Sequence, residues 1–320
     1  IDRIDVLKGL SAATLYGEAG RNGVILITTK NSSKSKGGAQ VTVNQSYFVN
    51  QIASLPELQN SYGGGFDQNY GPFFSNWGPR FSSRDSIPNP YGTAFLANTF
   101  PQFQGKNVKY QPYNNSKFFR DGAVVNTSVA ISGGNDQISY SVTIGKNNEQ
   151  GFVPNNDLEK YNFGAGITAK VSKKLSISSS FNYASTDLKT PPLNSAGSCG
   201  INGNGSSVFA NIFYTPRHID LMGLPFESPI DNSSVYYRGG NDIQNPRWTA
   251  KYTGTTDVTQ RIYGRTQLTY NVTDKLKVVY RIGLDTYNQR QRYFINKGGV
   301  DLPNGLLRTV SYTHLTLPTN

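Results

Sequence analysis

The fold is decided by residues 259–287, TQRIYGRTQLTYNVTDKLKVVYRIGLDTY, where apolar and polar side chains alternate on both sides of one short turn. Successive side chains of a β-strand point to opposite faces of its sheet. The apolar face then carries Ile262, Gly264, Thr266, Leu268, Tyr270, Leu276, Val278, Tyr280, Ile282 and Leu284. The opposite face carries Arg261, Tyr263, Arg265, Gln267, Thr269, Lys277, Val279, Arg281, Gly283 and Asp285. One face suits lipid and the other suits water.

Alternation of this kind recurs along most of the chain. It is found in residues 40–49, 124–133, 137–146, 161–171, 175–183, 259–271 and 275–287. Each segment is about as long as a tilted strand needs to cross a bilayer, roughly 9–11 residues. The pattern predicts about seven antiparallel strands. A soluble β-sandwich alternates in the same way, so periodicity alone leaves that architecture open.

The connections between these segments favour the membrane architecture. Short turns at 133–136, 172–174 and 273–274 alternate with longer segments, of which 50–122 and 186–256 are far longer than is usual in compact domains. Outer-membrane barrels have short turns on one side and long loops on the other. The predicted fold class is therefore mainly β, a transmembrane antiparallel β-barrel of which this chain supplies about seven strands.

Composition excludes several classes of protein. The 320 residues include 33 Gly, 20 Tyr and 17 Phe but one Cys, so neither an internal disulfide framework nor a Cys-rich zinc site is possible. There is no run of eighteen apolar residues, which excludes a transmembrane helix. The formal charge of +11 comes from scattered basic residues without an RNA-binding signature, so no nucleic-acid partner is expected.

Catalysis finds little support in the sequence. His218 lies inside a long loop without a second histidine beside it, and Cys199 has no basic neighbour to lower its pKa. We expect no enzymatic activity, no metal and no cofactor.

The first thirty residues do not show the alternating pattern of the rest of the chain. The pattern predicts the end of a compact α/β domain. Its elements are a short strand at 4–7, a brief helix at 12–15 capped by Ser11, a glycine-rich turn at 17–23 and an apolar strand at 24–29. The continuous apolar run of the last strand predicts burial on both faces.

This opening segment closely resembles the final stretch of the plug domain in SusC/RagA-type TonB-linked (TonB-dependent) outer-membrane proteins. The resemblance is carried by residues 4–30, and above all by the plug motif of Leu15, Tyr16, Gly17, Glu18, Arg21, Asn22 and Gly23, followed by Val24 and Ile25. Residues 151–153 and 159–163 also resemble a loop and strand start found early in those barrels.

The resemblance implies a barrel of about 22 strands with an internal plug. It also implies a location in the outer membrane of a Gram-negative bacterium, a TonB complex that moves the plug, and a SusD-like lipoprotein lid. The cargo would be an oligosaccharide or an oligopeptide. Charged residues at the plug turn, Glu18 and Arg21, could form a latch with the barrel wall, although a solvated turn is the commoner outcome.

These observations divide the chain into segments. Residues 1–30 form the end of the plug, 31–38 a linker, and 39–309 the first part of the barrel with its loops. Residues 310–320 resemble a translated sequencing adapter and are expected to be an artefact. The chain is thus expected to be an internal fragment, with any targeting signal upstream.

Binding residues are expected in the loops and on the wall of the lumen. Large rings among polar neighbours can stack on sugars or pack on peptides; they can equally pack the loops against one another. The candidates for substrate binding are Trp77, Trp248, Tyr236, Tyr237, Phe73, Phe74 and Tyr91. The predicted lumen-facing residues are Arg261, Arg265, Lys277, Arg281 and Asp285.

The sequence therefore predicts a TonB-dependent importer. Two other functions stay open at this point: a surface module with a β-sandwich that binds glycans, and a TonB-dependent receptor that signals instead of importing.

Overall fold

The computed structural model describes residues 3–28, 38–71, 75–192, 207–237, 243–301, 305–306 and 310–316. Its three α-helices are α1 (Leu10–Tyr16), α2 (Val208–Tyr214) and α3 (Pro246–Tyr252). Sixteen strands are assigned within these ranges: β1 (Arg3–Leu7), β2 (Val24–Thr28), β3 (Gln40–Asn50), β4 (Gly65–Phe66), β5 (Asn69–Tyr70), β6 (Ser86–Pro88), β7 (Asn107–Lys109), β8 (Gly122–Gly134), β9 (Ile138–Gln150), β10 (Asp157–Lys170), β11 (Leu175–Thr190), β12 (Thr253–Asn271), β13 (Lys277–Ile295), β14 (Val300–Asp301), β15 (Gly305–Leu306) and β16 (Val310–Thr316).

One large antiparallel sheet dominates the structure. Its strand order is β16-β13-β12-β11-β10-β9-β8-β3. The seven long strands β3 and β8–β13 correspond to the seven alternating segments of the sequence, so the mainly β prediction is confirmed. Several strands run further than predicted: β12 starts at Thr253 instead of 259, and β11 continues to Thr190 instead of 183.

The register of the sheet makes the apolar face continuous across all seven long strands. A single cross-strand row joins Val43, Val129, Ile144, Phe163, Tyr183, Ile262 and Thr286. Side chains on this face are exposed: 65% of Val43 and 59% of Ile282 remain accessible. Within the described residues the other sheets are two-stranded, and this face has no second sheet packed on it.

Short turns lie at one end of the sheet, and each is closed by a polar side chain. Asn135 Oδ1 accepts hydrogen bonds from the backbone N–H groups of Gln137 and Ile138, both at 2.9 Å. The hydroxyls of Ser172 and Thr273 accept in the same way from residues two and three positions later. Side-chain acceptors of this kind stabilise tight turns. The predicted short turns are therefore confirmed.

The helices are short. Each of α1, α2 and α3 has seven residues, and no helix in the described ranges combines the length and apolar character of a membrane span.

The opening segment folds as an antiparallel pair, β1 with β2, connected through α1. One detail of the prediction was wrong. The helix begins at Leu10 after Gly9, whose φ of 57° no ordinary residue adopts easily, and Ser11 lies inside the helix instead of capping it. Within the described residues Ile25 of β2 is 66% exposed, so burial of this strand on both faces stays a prediction.

The last strand, β16, pairs along the backbone with the end of β13, from Ile295 opposite Val310 to Gln289 opposite Thr316. These residues include most of the segment that resembles a translated adapter. Its assignment as an artefact stays a prediction.

Candidate functional site

Three connections meet at the end of the sheet opposite the short turns and pack into one body, which we call the loop unit. They are residues 51–121, 151–156 and 191–252, of which 72–74, 193–206 and 238–242 lie outside the described residues. The loop unit has its own hydrophobic core, formed by Tyr91, Leu96, Phe100, Phe118, Val153, Val208, Ile212, Ile219, Leu221, Val235, Tyr236, Tyr237, Ile243 and Ala250. Burial of this many large side chains makes the loops a folded body and not a set of free segments.

Four of the predicted substrate-binding aromatics lie in buried positions of this body. The Tyr91 hydroxyl donates to the carbonyl of Pro225 at 2.6 Å, and Tyr236 packs against Tyr237 with ring centroids 4.5 Å apart. Burial raises the pKa of Tyr91 and of Tyr236, so both phenols stay neutral donors. The indole of Trp248 is fully buried and donates to the carbonyl of Asn232 at 2.8 Å. These contacts match the loop-packing alternative.

The remaining aromatic candidates differ. Trp77 is 71% exposed beside the hairpin of β4 and β5, where its backbone exchanges hydrogen bonds with Gly65 and Gln68. Phe73 and Phe74 lie outside the described residues. Among the candidate aromatic residues that the structure describes, Trp77 is therefore the one that a ligand could reach.

Arg217 joins the two long connections. Its side chain donates to the carbonyl of Gln59 at 3.1 Å, to the side chain of Asn60 at 2.6 Å and to the carbonyl of Tyr113. Its backbone N–H donates to Asn76 Oδ1 at 2.8 Å. The chain separation, more than a hundred residues in each case, explains why sequence reasoning missed this role.

His218 continues this junction. Its Nδ1 accepts from the backbone N–H of Gly64 at 2.8 Å, which places the ring proton on Nε2. Its ring lies against Tyr70 and Tyr110, with centroids 5.3 and 6.0 Å away. A Cβ on Gly64 would lie 2.5 Å from the imidazole, so this close approach requires glycine. Nε2 is buried without a partner among the described residues, and burial lowers the pKa of His218 to about 4.

We expect acid to loosen the loop unit through His218. The unfolded chain binds the imidazole proton near pH 6.5 and the folded chain only near pH 4, so stability is complete above about pH 6.5 and falls as the pH drops towards 4. The full loss amounts to about 3 kcal/mol. Amide hydrogen exchange at Gly64 and Tyr113, followed between pH 7 and pH 4, measures it.

The variant His218→Asn, which keeps a hydrogen-bond acceptor but does not titrate in this range, provides the control. Its exchange profile should lose this part of the pH dependence. An equal slope in both proteins would show that other groups cause the acid effect.

Two further residues tie the loop unit together and were missed. Arg247 Nη1 donates to the carbonyls of Leu221, Met222 and Leu224 at 2.9–3.1 Å. Asn245 caps α3 through its side chain and is followed by Pro246 at the first helical position. The Asn-Pro pair is a recognised helix-start signal and could have located this helix from sequence.

The predicted lumen-facing residues lie on one face of β12 and β13, as their register requires. Tyr263 pairs with Asp285 and Gln267 with Arg281. Arg261 Nε donates to Asp285 Oδ1 at 2.8 Å, and Arg281 Nε donates to Gln267 Oε1 at 2.7 Å. These cross-strand hydrogen bonds hold the charged groups together on what we call the polar face, which also carries Arg265 and Lys277. Whether this face lines a lumen remains a proposal.

The plug motif forms the turn between α1 and β2. Gly17 and Gly23 have φ values of 63° and 101°, and a Cβ on Gly20 would collide with the carbonyl of Ala12. Leu15 and Tyr16 are exposed, and Asn22 lies in the same turn. Neither Glu18 nor Arg21 has a side-chain partner among the described residues, so the latch with the wall stays a prediction.

A cavity of about 620 Å³ opens on the polar face just below the loop unit. Its walls come from the ends of β3 and β8–β11, from the start of the first long connection and from the connection after β9. Among the described residues, no group of His, Cys, Asp and Glu side chains has the arrangement of a metal site. Cys199 lies outside the described residues.

Comparison with known proteins gives a consistent set of relatives. No family model matches the chain. The TonB-dependent receptors P26 and P3 of Formosa agariphila are 24% identical over 244 residues and 31% identical over 137 residues, and the TonB-dependent receptor SusC of Bacteroides thetaiotaomicron is 28% identical over 162 residues. These alignments cover 73%, 40% and 50% of this chain. The chain spans only 22%, 13% and 13% of the relatives' lengths.

Solved structures show the same fold. The RagAB peptide importer in its closed-closed state matches 92% of this chain with a TM-score of 0.61 and 16% identity, and its open-open state matches 93% with 0.62 and 17%. In both cases the match covers 33% of the solved chain. The named relatives are receptors and transporters. The plug motif, the seven long strands and these relatives together make this chain similar to a part of the SusC/RagA-type TonB-dependent receptors.

Proposed function

We propose that this chain forms part of the wall and the extracellular loops of a plugged outer-membrane barrel that imports oligosaccharides or oligopeptides. One observation carries the proposal: a single sheet has a continuous exposed apolar face, an opposite polar face, and a loop unit at one end only. This is the organisation of a barrel wall between lipid and a wet interior.

The exposed apolar face argues against the glycan-binding sandwich. In a sandwich the apolar faces of two sheets pack together about 10 Å apart. Here the apolar face spans seven strands, many of its large side chains are exposed, and no second sheet packs on it within the described residues. An apolar surface that crosses a whole sheet is far larger than the few hundred Å² that soluble monomers expose, so lipid is the environment that suits it.

The partners follow from the family. Relatives named as TonB-dependent receptors support coupling of the plug to a TonB complex, and the RagAB structures support a SusD-like lipoprotein as lid. We place the lid over the loop unit, with Trp77 exposed on that unit as a candidate contact for cargo or lid. In this proposal the receptor resides in the outer membrane of a Gram-negative bacterium.

The experiment uses the full-length receptor gene in its host. Folded barrels migrate faster than their boiled forms in detergent gels, so we expect heat-modifiable migration and a need for detergent. Deleting the gene should abolish growth on an oligosaccharide or oligopeptide mixture that wild-type cells import, and growth on the monomers should be unchanged. A folded receptor that stays soluble without detergent would contradict the proposal.

A further inference from the structure

One cross-strand row of the polar face, at the end next to the loop unit, is more apolar than the rest of that face. Strand register places Val124 opposite Glu149, Glu149 opposite Leu158, and Leu158 opposite Leu188. Elsewhere on β8–β11 the same face carries mainly Ser, Thr, Asn and Gly, such as Ser128, Gly145, Asn162 and Ser180 in the middle of the strands. From β8 to β11 this end of the face is therefore mainly apolar, with the carboxylate of Glu149 in its centre and the charged residues Lys160 and Asp257 at its edge.

The cavity of about 620 Å³ lies on this row. Ile52 and Phe152, from the first long connection and from the short connection after β9, complete its apolar walls. The volume falls in the range of about 300–1,000 Å³ that is usual for small-ligand pockets. A ligand part as large as a few amino-acid residues would fit.

Glu149 gives the cavity its charge. It is the one titratable residue in the cavity lining, and it is only half-buried. Within the described part of the chain its carboxylate forms no hydrogen bond and no ion pair, while its backbone is paired in the sheet. A carboxylate among aliphatic side chains favours a cationic partner, because charge-assisted hydrogen bonds are strongest where water is partly excluded.

We propose that this cavity binds a peptide segment in which an apolar residue adjoins a cationic group, with the apolar side chain against Leu158 and Leu188 and the cation on Glu149. The inference rests on the proposed import function and narrows its cargo to oligopeptides. A neutral oligosaccharide can donate hydroxyl groups to Glu149, but it offers neither a positive charge nor a compact aliphatic group for the leucine pair. The lining therefore favours the peptide over the glycan.

The test measures binding by the full-length receptor in detergent, using two hexapeptide probes. One is Ala-Ala-Leu-Lys-Ala-Ala and the other replaces its lysine with glutamine, both with blocked ends so that the side chain is the only cation. For the basic probe, Glu149→Gln should weaken binding about tenfold or more, and for the neutral probe it should leave binding unchanged. Leu158→Ser should weaken both. Asp136→Asn, in a turn at the opposite end of the sheet, is the charge-matched control and should change neither.

Three results would overturn the inference: no binding of either probe by the wild-type receptor, equal binding of both probes, or unchanged affinity in Glu149→Gln. Weakening of maltoheptaose binding by Glu149→Gln and Leu158→Ser would overturn it as well, in favour of a glycan. None of these results would affect heat-modifiable migration or growth on the imported mixture, so a failure of this inference is distinguishable from a failure of the import function.

Discussion

Replacing Ile282 with arginine should prevent most of the full-length receptor from reaching its folded state. Ile282 lies in β13 on the apolar face, where it pairs with Thr266 and points away from the polar face. A cationic side chain turned to lipid near mid-depth costs about 2–4 kcal/mol. Since the free energy of unfolding of a folded protein is only about 5–15 kcal/mol, this substitution removes a large part of the stability of the receptor. The fraction of heat-modifiable receptor in isolated outer membranes measures the effect.

The neighbouring substitution Gly283→Arg is the matched control. It introduces the same side chain one position along the strand but on the polar face. A Cβ there would lie 3.6 Å from the carbonyl oxygen of Gly264, an ordinary contact, so the backbone accepts a side chain. The new arginine lies opposite Arg265, and this like-charge pair costs only a few tenths of a kcal/mol to about 1 kcal/mol on a wet face, so we expect nearly wild-type amounts of folded receptor. If both arginines were tolerated equally, or if Gly283→Arg were the more damaging change, the assignment of the two faces would be wrong.

The second large effect is expected from Trp248→Ala in the loop unit. The indole is fully buried, donates to the carbonyl of Asn232 and packs 5.2 Å from the ring of Tyr252. It also contacts Ile295 at the end of β13, so it fixes the loop unit to the sheet. Truncating a buried tryptophan to alanine costs about 3–5 kcal/mol. Faster proteolysis within residues 191–252 of the membrane-embedded receptor should report this loss.

The other tryptophan of the chain supplies the comparison. Trp77 is exposed, so Trp77→Ala should change stability by no more than about 0.5 kcal/mol. Its proposed role lies in contact with cargo or lid, and a loss of binding without any change in proteolysis would support that role. Equal proteolysis of the two variants would contradict the placement of Trp248 in the loop core.

The strands could be predicted because apolar and polar side chains alternate strictly along them. A period of two, repeated in residues 259–287 with one face apolar, specifies both the strand pair and its register. The strand ends could not be located in this way. Residues 253–258, Thr-Gly-Thr-Thr-Asp-Val, continue β12 without alternating between apolar and polar side chains, so the pattern stops before the strand does.

The contacts inside the loop unit could not be predicted from the sequence. Its junction depends on pairs far apart in sequence, such as Arg217 with Asn60 and His218 with Gly64, and no local pattern reports such contacts. The aromatic residues were identified as important, but composition alone cannot separate a ring that binds cargo from one that fills a loop core. Burial separates them: Trp248 and Tyr237 are inside, and Trp77 is outside.

The central claim is that alternate residues of the long strands face lipid and a wet interior. A nitroxide scan of positions 278 to 285, with single cysteines in a Cys199→Ser background of the full-length receptor in lipid vesicles, tests it most directly. We predict that labels at 278, 280, 282 and 284 collide mainly with oxygen dissolved in the bilayer, and that labels at 279, 281, 283 and 285 collide mainly with a water-soluble nickel chelate. Collision rates that do not alternate, or that alternate in the opposite phase, would contradict the account.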